Sequence, residues 1–115
     1  MDRYRITITE VAKKDIASAA DYIKLVLKNP KAADDLLDET VGRIKSLCTM
    51  PQIHQILDDP ILGGFEIRAI LIKNYAAFYL IDEQKHEVRI IRFLYQKSNW
   101  ASIVGGKENE NGQWF

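Results

Sequence analysis

Four side chains suited to chemistry on an anionic group lie between residues 63 and 100. They are Arg68, Arg92, Tyr95 and Lys97. A guanidinium or an ammonium group can stabilise negative charge that develops during a reaction, and a phenol or an amine can transfer a proton. The same residue types also suit the binding of a large partner. We therefore treat these four residues as the candidate catalytic or binding residues.

The two arginines and the tyrosine also have a purely structural alternative. The two arginines could form cross-strand ion pairs with neighbouring acids, namely Glu66 or Glu87. Such a pair contributes only about 0.2–1 kcal/mol. Tyr95 could simply cover the edge of a sheet.

The remaining residues of chemical interest give weaker signals. Cys48 is the only cysteine and lies on the apolar face of a predicted helix, so we expect it to be a core residue. His54 has two acids nearby, Asp58 and Asp59, but no second histidine at ligand spacing. No glycine-rich loop precedes a helix. The sequence therefore predicts neither a metal nor a cofactor.

The composition is that of a globular domain without a membrane span. The 115 residues are 47% hydrophobic and 28% charged, which is enough for one domain with an ordinary core. No run approaches the roughly 18–20 apolar residues of a membrane helix, and the opening MDRYRITITE has no apolar signal segment. We expect a cytoplasmic protein. Sixteen basic and sixteen acidic residues balance, so any binding to nucleic acid must rely on local clustering.

The first half of the chain predicts a strand and a helical hairpin. Residues 3–9 alternate strictly between apolar and polar, which is typical of a half-buried strand. A helix over residues 10–28 and a second helix over residues 30–48 are separated by Asn29-Pro30, where asparagine can cap and proline can start the second helix. The apolar stripes of the two helices comprise residues 12, 16, 19, 20, 23 and 27, and residues 33, 37, 41, 44, 47 and 48.

The second half predicts three antiparallel strands, over residues 65–73, 75–82 and 87–95, followed by a short helix over residues 99–104. Strict alternation would place Val88, Ile90, Arg92 and Leu94 on one face of the last strand. The predicted fold is α+β, in the order β-α-α-β-β-β(-α), with an antiparallel twisted sheet and a two-helix hairpin on one face. Residues 1–104 form the domain, and residues 105–115 form a flexible tail whose Trp114-Phe115 could dock or remain frayed.

Three stretches in this order resemble a known family. They are ITEVAKKDIASAADYI, GGFEIRAILIKNYAAFYLID and VRIIRFLYQKSNWASIV. Over residues 3 to about 104 the chain resembles the RelE/ParE superfamily of toxins from type II toxin–antitoxin systems, also called plasmid stabilization proteins.

The resemblance implies a small cytoplasmic toxin that is held inactive by a cognate antitoxin whose extended or helical segment wraps it. Two targets occur within the fold: RelE-like members cleave mRNA on the ribosome without a metal, and ParE-like members poison DNA gyrase. The resemblance leaves the assembly open between a homodimer and a heterotetramer with the antitoxin. It implies no membrane association.

The departures from the family pattern bear on the choice of target. Arg68 and Lys97 match basic positions of RNA-cleaving members, and Tyr95 stands where many carry His or Tyr. However, Ala76 stands where many RNA-cleaving members have an arginine that contacts the scissile phosphate, and Ser98 replaces a basic residue. We therefore favour ParE-like inhibition of gyrase. A RelE-like endoribonuclease and a degenerate, non-toxic interaction module remain the alternatives, so enzymatic activity stays open.

Overall fold

The structure, a computed structural model, describes residues 3–57 and 65–105. Its elements in chain order are β1 (Arg5–Ile8), α1 (Glu10–Asp21), a π-helical turn (Tyr22–Val26), α2 (Pro30–Ser46), a 3-10 turn (Pro51–Ile53), β2 (Arg68–Ile72), β3 (Tyr75–Asp82), β4 (Glu87–Tyr95) and α3 (Trp100–Gly105). This order confirms the predicted α+β fold. The acids Asp58 and Asp59 and residues 106–115 of the predicted tail lie outside the described residues.

The four strands form one mixed sheet in the order β1-β4-β3-β2. The meander of β2, β3 and β4 is antiparallel, as predicted. The first strand joins β4 in parallel, with Arg5 opposite Glu87 and Ile8 opposite Ile90. A parallel pair needs a long crossover connection, and here the helical hairpin and the first two strands of the meander lie between its two members. As a result, β4 occupies the centre of the sheet beside β3.

The helical hairpin covers one face of the sheet, which we call the hairpin face. Its core joins alanines of α1 and larger residues of α2 to alternate residues of the strands. The members are Ala12, Ala19, Leu36, Ile44, Leu47, Ile70, Ile72, Ala77, Tyr79, Val88, Ile90 and Phe93. Small side chains on α1 let its backbone approach the sheet closely, which brings α1 into contact with the central strand β4.

The first helix ends earlier than predicted. After Asp21 the chain makes a π-helical turn, in which the Leu27 N–H donates to the Tyr22 carbonyl oxygen at 3.1 Å. Lys28 then takes a left-handed conformation with φ 54°. Leu27, predicted to continue the apolar stripe, is exposed because the wider turn rotates it away from the core. The predicted cap is confirmed, since the Asn29 side chain accepts a hydrogen bond from the Ala32 N–H at 3.1 Å.

The apolar stripe of α2 is also rotated by about one residue from the prediction. Leu36 and Thr40 are buried, whereas Leu37 and Val41 reach the surface. Thr40 can be buried because its hydroxyl donates to the Leu36 carbonyl oxygen at 2.7 Å. When the hydroxyl of a threonine is hydrogen-bonded within its own helix, the side chain presents mainly its methyl group to the core. The residue type alone does not reveal this arrangement.

A β-bulge changes the faces of β4. Phe78 lies opposite Arg92, but the next residue, Tyr79, lies opposite Ile90, so Ile91 is an extra residue. Phe93 therefore lies on the hairpin face with Ile90, and Ile91 lies on the other face. The strict alternation predicted for this strand is wrong beyond Ile90.

The opposite face, which we call the outer face, has a smaller apolar cluster. Its buried members are Ile67, Ala76, Phe78, Ile91 and Val104. The short helix α3 covers this cluster, and the Trp100 ring packs on the Phe78 ring with centroids 5.4 Å apart. Both faces of the sheet are thus apolar at its centre.

Candidate functional site

Arg92 is held in an ion pair with the first helix. Its Nε and Nη2 donate to the two carboxylate oxygens of Asp15 at 2.7 and 2.9 Å. The two side chains are only 13% and 14% exposed. Asp15 also accepts a hydrogen bond from the Phe93 N–H at 3.0 Å. This arrangement favours a structural role for Arg92, because its guanidinium already has a bidentate partner.

The position of Asp15 follows from the end of β1. That strand stops opposite Ile90, so the edge of β4 beyond it lacks a strand partner on that side. The start of α1 replaces it: the Thr9 hydroxyl donates to the Ile91 carbonyl oxygen at 3.2 Å, and Asp15 takes the Phe93 N–H. Buried backbone groups that have no strand partner need such substitutes.

Arg68 holds the segment that follows α2. Its Nη1 donates to the carbonyl oxygens of His54 and Gln52, at 2.7 and 3.2 Å. Its cross-strand neighbour Tyr79 donates its hydroxyl to the Pro51 carbonyl oxygen at 2.7 Å. These bonds attach the 3-10 turn to the sheet.

The same region has two perturbed side chains. Burial, and then the positive charges of Arg43 and Arg68, lower the pKa of His54, so the imidazole is neutral at pH 7. Burial raises the pKa of Tyr79 to about 12, against the opposing effect of Arg68. A neutral imidazole beside two guanidinium groups is a feature that the sequence did not reveal.

Tyr95 and Lys97 lie at the other end of the sheet. Tyr95 is half-exposed at the end of β4 and packs edge-on against Tyr75, with ring centroids 5.7 Å apart. Lys97 is exposed in the turn that follows.

The four candidate residues therefore do not converge on one point. Arg68 lies opposite Tyr79, and Tyr95 lies opposite Tyr75. At roughly 3.3 Å for each residue of strand, these positions are about 13 Å apart along the sheet. Arg92 is turned toward α1. A shared catalytic role for the four stays a prediction.

Residues 6–100 match the family described as the ParE toxin of the type II toxin–antitoxin system parDE. The chain belongs to the ParE toxin family. It is thus the toxin component of a type II toxin–antitoxin system. No protein of curated function matches this toxin in sequence.

Solved structures share the fold of this ParE-family toxin. One is from the chromosomal ParDE toxin–antitoxin system of P. aeruginosa, with a TM-score of 0.62, 18% identity, and coverage of 81% of this chain and 96% of that one. A second is from the RelBE2 toxin–antitoxin complex of Mycobacterium tuberculosis. Its TM-score is 0.55 and its sequence identity 20%, and the match covers 85% of this chain and 97% of that one. A third is a mutant of the E. coli toxin RelE in the free state. Its TM-score is 0.61 and its sequence identity 14%, and the match covers 91% of this chain and 96% of that one. At these identities the likeness shows the fold alone.

Ala76 of this ParE-family toxin lies on the outer face, where it is only 3% exposed. It borders a cleft of about 150 Å³ that is lined by Leu57, Ala69, Leu71, Ala76, Phe78, Gln96 and Trp100. No charged side chain is among these residues. Arg68 does not supply a positive charge next to Ala76, because the two residues lie on opposite faces of the sheet. Arg68 is opposite Tyr79, which belongs to the core of the hairpin face, whereas Ala76 pairs with Leu71 on the outer face. The expected phosphate-binding position is therefore apolar.

The strand β4 carries a buried carboxylate at its start, opposite β1. Glu87 accepts hydrogen bonds from the Thr7 hydroxyl at 2.5 Å and from Arg89 at 3.0 Å, and Arg5 lies 3.9 Å away. The Thr7 hydrogen bond, followed by Arg89 and Arg5, lowers the pKa of Glu87 despite the opposing effect of burial. This cluster joins β1 to β4. The arginines around Glu87 are Arg89 of the same strand and Arg5 of β1, so the alternative in which Glu87 pairs with Arg68 or Arg92 is wrong.

Sequence reasoning missed a cavity at the tip of the hairpin. Tyr22, Lys73, Tyr75 and Tyr95 are among the residues that line it. The β-bulge, which brings Tyr95 to this side, and the π-helical turn, which begins at Tyr22, leave no periodic signal. Within residues 3–57 and 65–105, no group of three or more metal-ligating side chains comes together, and no helix is long and apolar enough to cross a membrane.

Proposed function

We propose that this toxin arrests growth in the ParE manner, by acting on DNA gyrase, rather than by cutting RNA. The observation that carries the proposal is the apolar outer face around Ala76, where RNA-cleaving relatives are expected to hold an arginine. The ion pair of Arg92 with Asp15 adds support, since it removes a second arginine from use on a phosphate. The family match over residues 6–100 is consistent with this target.

An arginine at position 76 would make a large contribution to the stabilisation of the transition state. A lost donor to charge that develops in a transition state typically costs about 2–4 kcal/mol. That corresponds to roughly a 30- to 1,000-fold slower reaction. None of the described residues that line the cleft beside Ala76 offers a replacement cation.

Expression in cells tests this proposal directly. The toxin is expressed alone and together with the small open reading frame next to its gene. We expect growth arrest that the neighbour relieves, together with induction of the SOS response and intact mRNA. Prompt arrest of translation with cleaved mRNA, abolished by Lys97→Ala or Arg68→Ala, would refute gyrase as the target. Harmless expression would instead support a degenerate interaction module.

One observation favours the second candidate, a RelE-like endoribonuclease. His54 is neutral at pH 7 and is flanked by Arg43 and Arg68, which together could accept a proton and bind a phosphate. Under this alternative, His54→Gln abolishes mRNA cleavage, while Lys14→Ala, which changes an exposed lysine of α1, leaves it intact. Under the ParE-like proposal, both variants inhibit growth as the parent does.

We further propose that the antitoxin binds a groove between β1 and the hairpin. The groove has a volume of about 290 Å³ and is lined almost entirely by apolar residues, namely Ile6, Ile8, Ile16, Leu37, Thr40, Val41, Ile44 and Lys45. In the described part of the chain, β1 pairs only with β4, so its outer edge is open to a further strand. An extended or helical apolar segment fits these features.

Val41 provides the test of this surface, because it is 52% exposed and its replacement should not disturb the core. We expect Val41→Asp to weaken antitoxin binding by at least about tenfold, since it places a charge in an apolar interface. Leu25→Asp is the matched control, as Leu25 is exposed outside this groove. Calorimetric titration that gives equal affinities for both variants would locate the antitoxin elsewhere.

A further inference from the structure

The hairpin tip and the turn between β2 and β3 enclose a cavity of about 700 Å³. This volume lies within the range of sites that hold small molecules. Its walls are formed by Tyr22, Ile23, Leu27, Asn29, Ala32, Leu36, Lys73, Asn74, Tyr75 and Tyr95. The cavity lies on the hairpin side of the sheet, whereas the expected phosphate position at Ala76 lies on the outer face.

Three tyrosines dominate this cavity. Tyr75 is fixed by stacking on Phe93, with ring centroids 5.1 Å apart and planes 6° apart, and by its edge contact with Tyr95. Tyr22 is 51% exposed and Tyr95 is 43% exposed, so both rings are accessible from solvent. Half-exposed aromatic rings beside a rigid one form a surface on which a flat ligand can stack.

The polar groups of the cavity suit an anionic ligand. Lys73 is the charged residue among those that line it, and no acid is among them. Burial, and then the proximity of Tyr22 and Tyr95, raise the pKa of Tyr75, so its hydroxyl remains a hydrogen-bond donor at neutral pH. Asn29 and Asn74 supply further amide groups.

The surrounding chain places one more lysine beside the cavity. Residues 21–35 contain three lysines and three aspartates. Lys31 is paired with Asp35 at 3.1 Å, whereas Lys28 lies between two residues of the cavity wall, Leu27 and Asn29. Both Lys28 and Lys73 have left-handed backbones, with φ of 54° and 53°. Such unfavourable conformations of residues other than glycine are concentrated at functional sites.

We infer that this cavity binds one nucleotide unit of a single-stranded nucleic acid, with the base stacked on the tyrosines and the phosphate at Lys73. Stacking on aromatic rings tolerates any base, so the binding is expected to depend weakly on sequence. A purely apolar peptide is a poorer fit, because amides, phenols and an ammonium group form much of the wall. The inference goes beyond the proposed function and holds whether the target is gyrase or mRNA.

Fluorescence anisotropy of the purified toxin with labelled eight-nucleotide oligo-U and oligo-dT tests this inference at low salt. Tyr22→Ala and Tyr95→Ala are expected to weaken binding by about 5- to 100-fold, and Tyr22→Phe, which keeps the ring, by less than about twofold. Lys73→Ala should weaken binding and reduce the slope of log affinity against log salt by about 0.7. Lys14→Ala is the charge control and is expected to bind as the parent does. Circular dichroism melts verify that each variant is folded.

Three results would overturn the inference. The first is no binding of either oligonucleotide at about 100 μM toxin, the weak end of the ordinary non-specific range. The second is binding that Tyr22→Ala and Lys14→Ala reduce equally, or that duplex DNA reproduces, since both indicate general electrostatic adsorption. Loss of growth inhibition in Tyr22→Ala without any oligonucleotide binding would assign the cavity to a protein partner and also overturn it. Competition with uridine monophosphate distinguishes the source: displacement indicates a single nucleotide, and its absence indicates a strand held by several phosphates.

Discussion

The ion pair between Asp15 and Arg92 is expected to be among the most sensitive points of this fold. Asp15→Ala removes both bonds to the guanidinium and the acceptor for the Phe93 N–H. It also leaves Arg92, which is 13% exposed, as a nearly buried charge without its partner. Removing one member of such a pair costs about 3–5 kcal/mol.

That cost is a large part of the total stability of a domain of this size, about 5–15 kcal/mol. We therefore expect urea unfolding, followed by circular dichroism, to show the full loss in Asp15→Ala, together with a fall in Tm of more than about 10 °C. Arg92→Ala should lose somewhat less, since Asp15 keeps the Phe93 N–H. The double variant should lose about 0.5–3 kcal/mol less than the sum of the two single variants, because it leaves neither charge alone.

The exposed pair Lys31–Asp35 is the matched control. It has a similar separation, 3.1 Å, but its side chains are 84% and 49% exposed. Asp35→Ala should therefore cost no more than about 0.5 kcal/mol. Equal losses in Asp15→Ala and Asp35→Ala, or strict additivity in the double variant, would refute the reasoning. So would an Arg92→Ala variant that keeps its stability but loses growth inhibition, since Arg92 would then act at the target.

Three further outcomes follow from other contacts. Because the pKa of Glu87 is lowered in the folded state, its stabilising contribution is present above its ordinary value of 4.5 and is lost as the pH falls through the folded pKa. Urea unfolding should accordingly show a smaller loss of stability on acidification below about pH 4.5 in Glu87→Gln than in the parent; an equal loss in both would contradict this. Lys28→Gly should raise the free energy of unfolding by about 0.5–1 kcal/mol, because glycine tolerates the φ of 54° at this position, and thermal melts that show destabilisation would refute it. Tyr79→Phe should cost about 1–2 kcal/mol in urea unfolding by leaving the Pro51 carbonyl oxygen without its donor, and a neutral result would indicate that water replaces it.

Periodicity and turn residues predicted the elements and their order. Asn29-Pro30 separates the two helices as expected, and Lys73-Asn74 forms the turn between β2 and β3. These signals are local, and each depends on the conformational preference of one or two residues. The parallel pairing of β1 with β4 has no such signal, because its partners are separated by about 82 residues of sequence.

The candidate site was harder to predict because two irregularities decide it. The extra residue Ile91 changes the face of every later residue of β4, which brings Tyr95 to the hairpin side. Tyr22, the first residue of the π-helical turn, lines the same cavity. Arg92 was identified from its charge, but its partner Asp15 lies 77 residues away, and nothing in a single sequence links the two.

The pairing of the first strand with the last also governs when this chain can fold. Thr9 and Ile91, which meet at the end of β1, are separated by 82 residues. Contacts at such sequence distances close a long loop of chain and slow folding. During synthesis, β1 leaves the ribosome first but has no neighbour in the sheet until β4 has been made. The centre of the sheet is consequently completed among the last steps, so a nascent toxin passes most of its translation without a complete sheet.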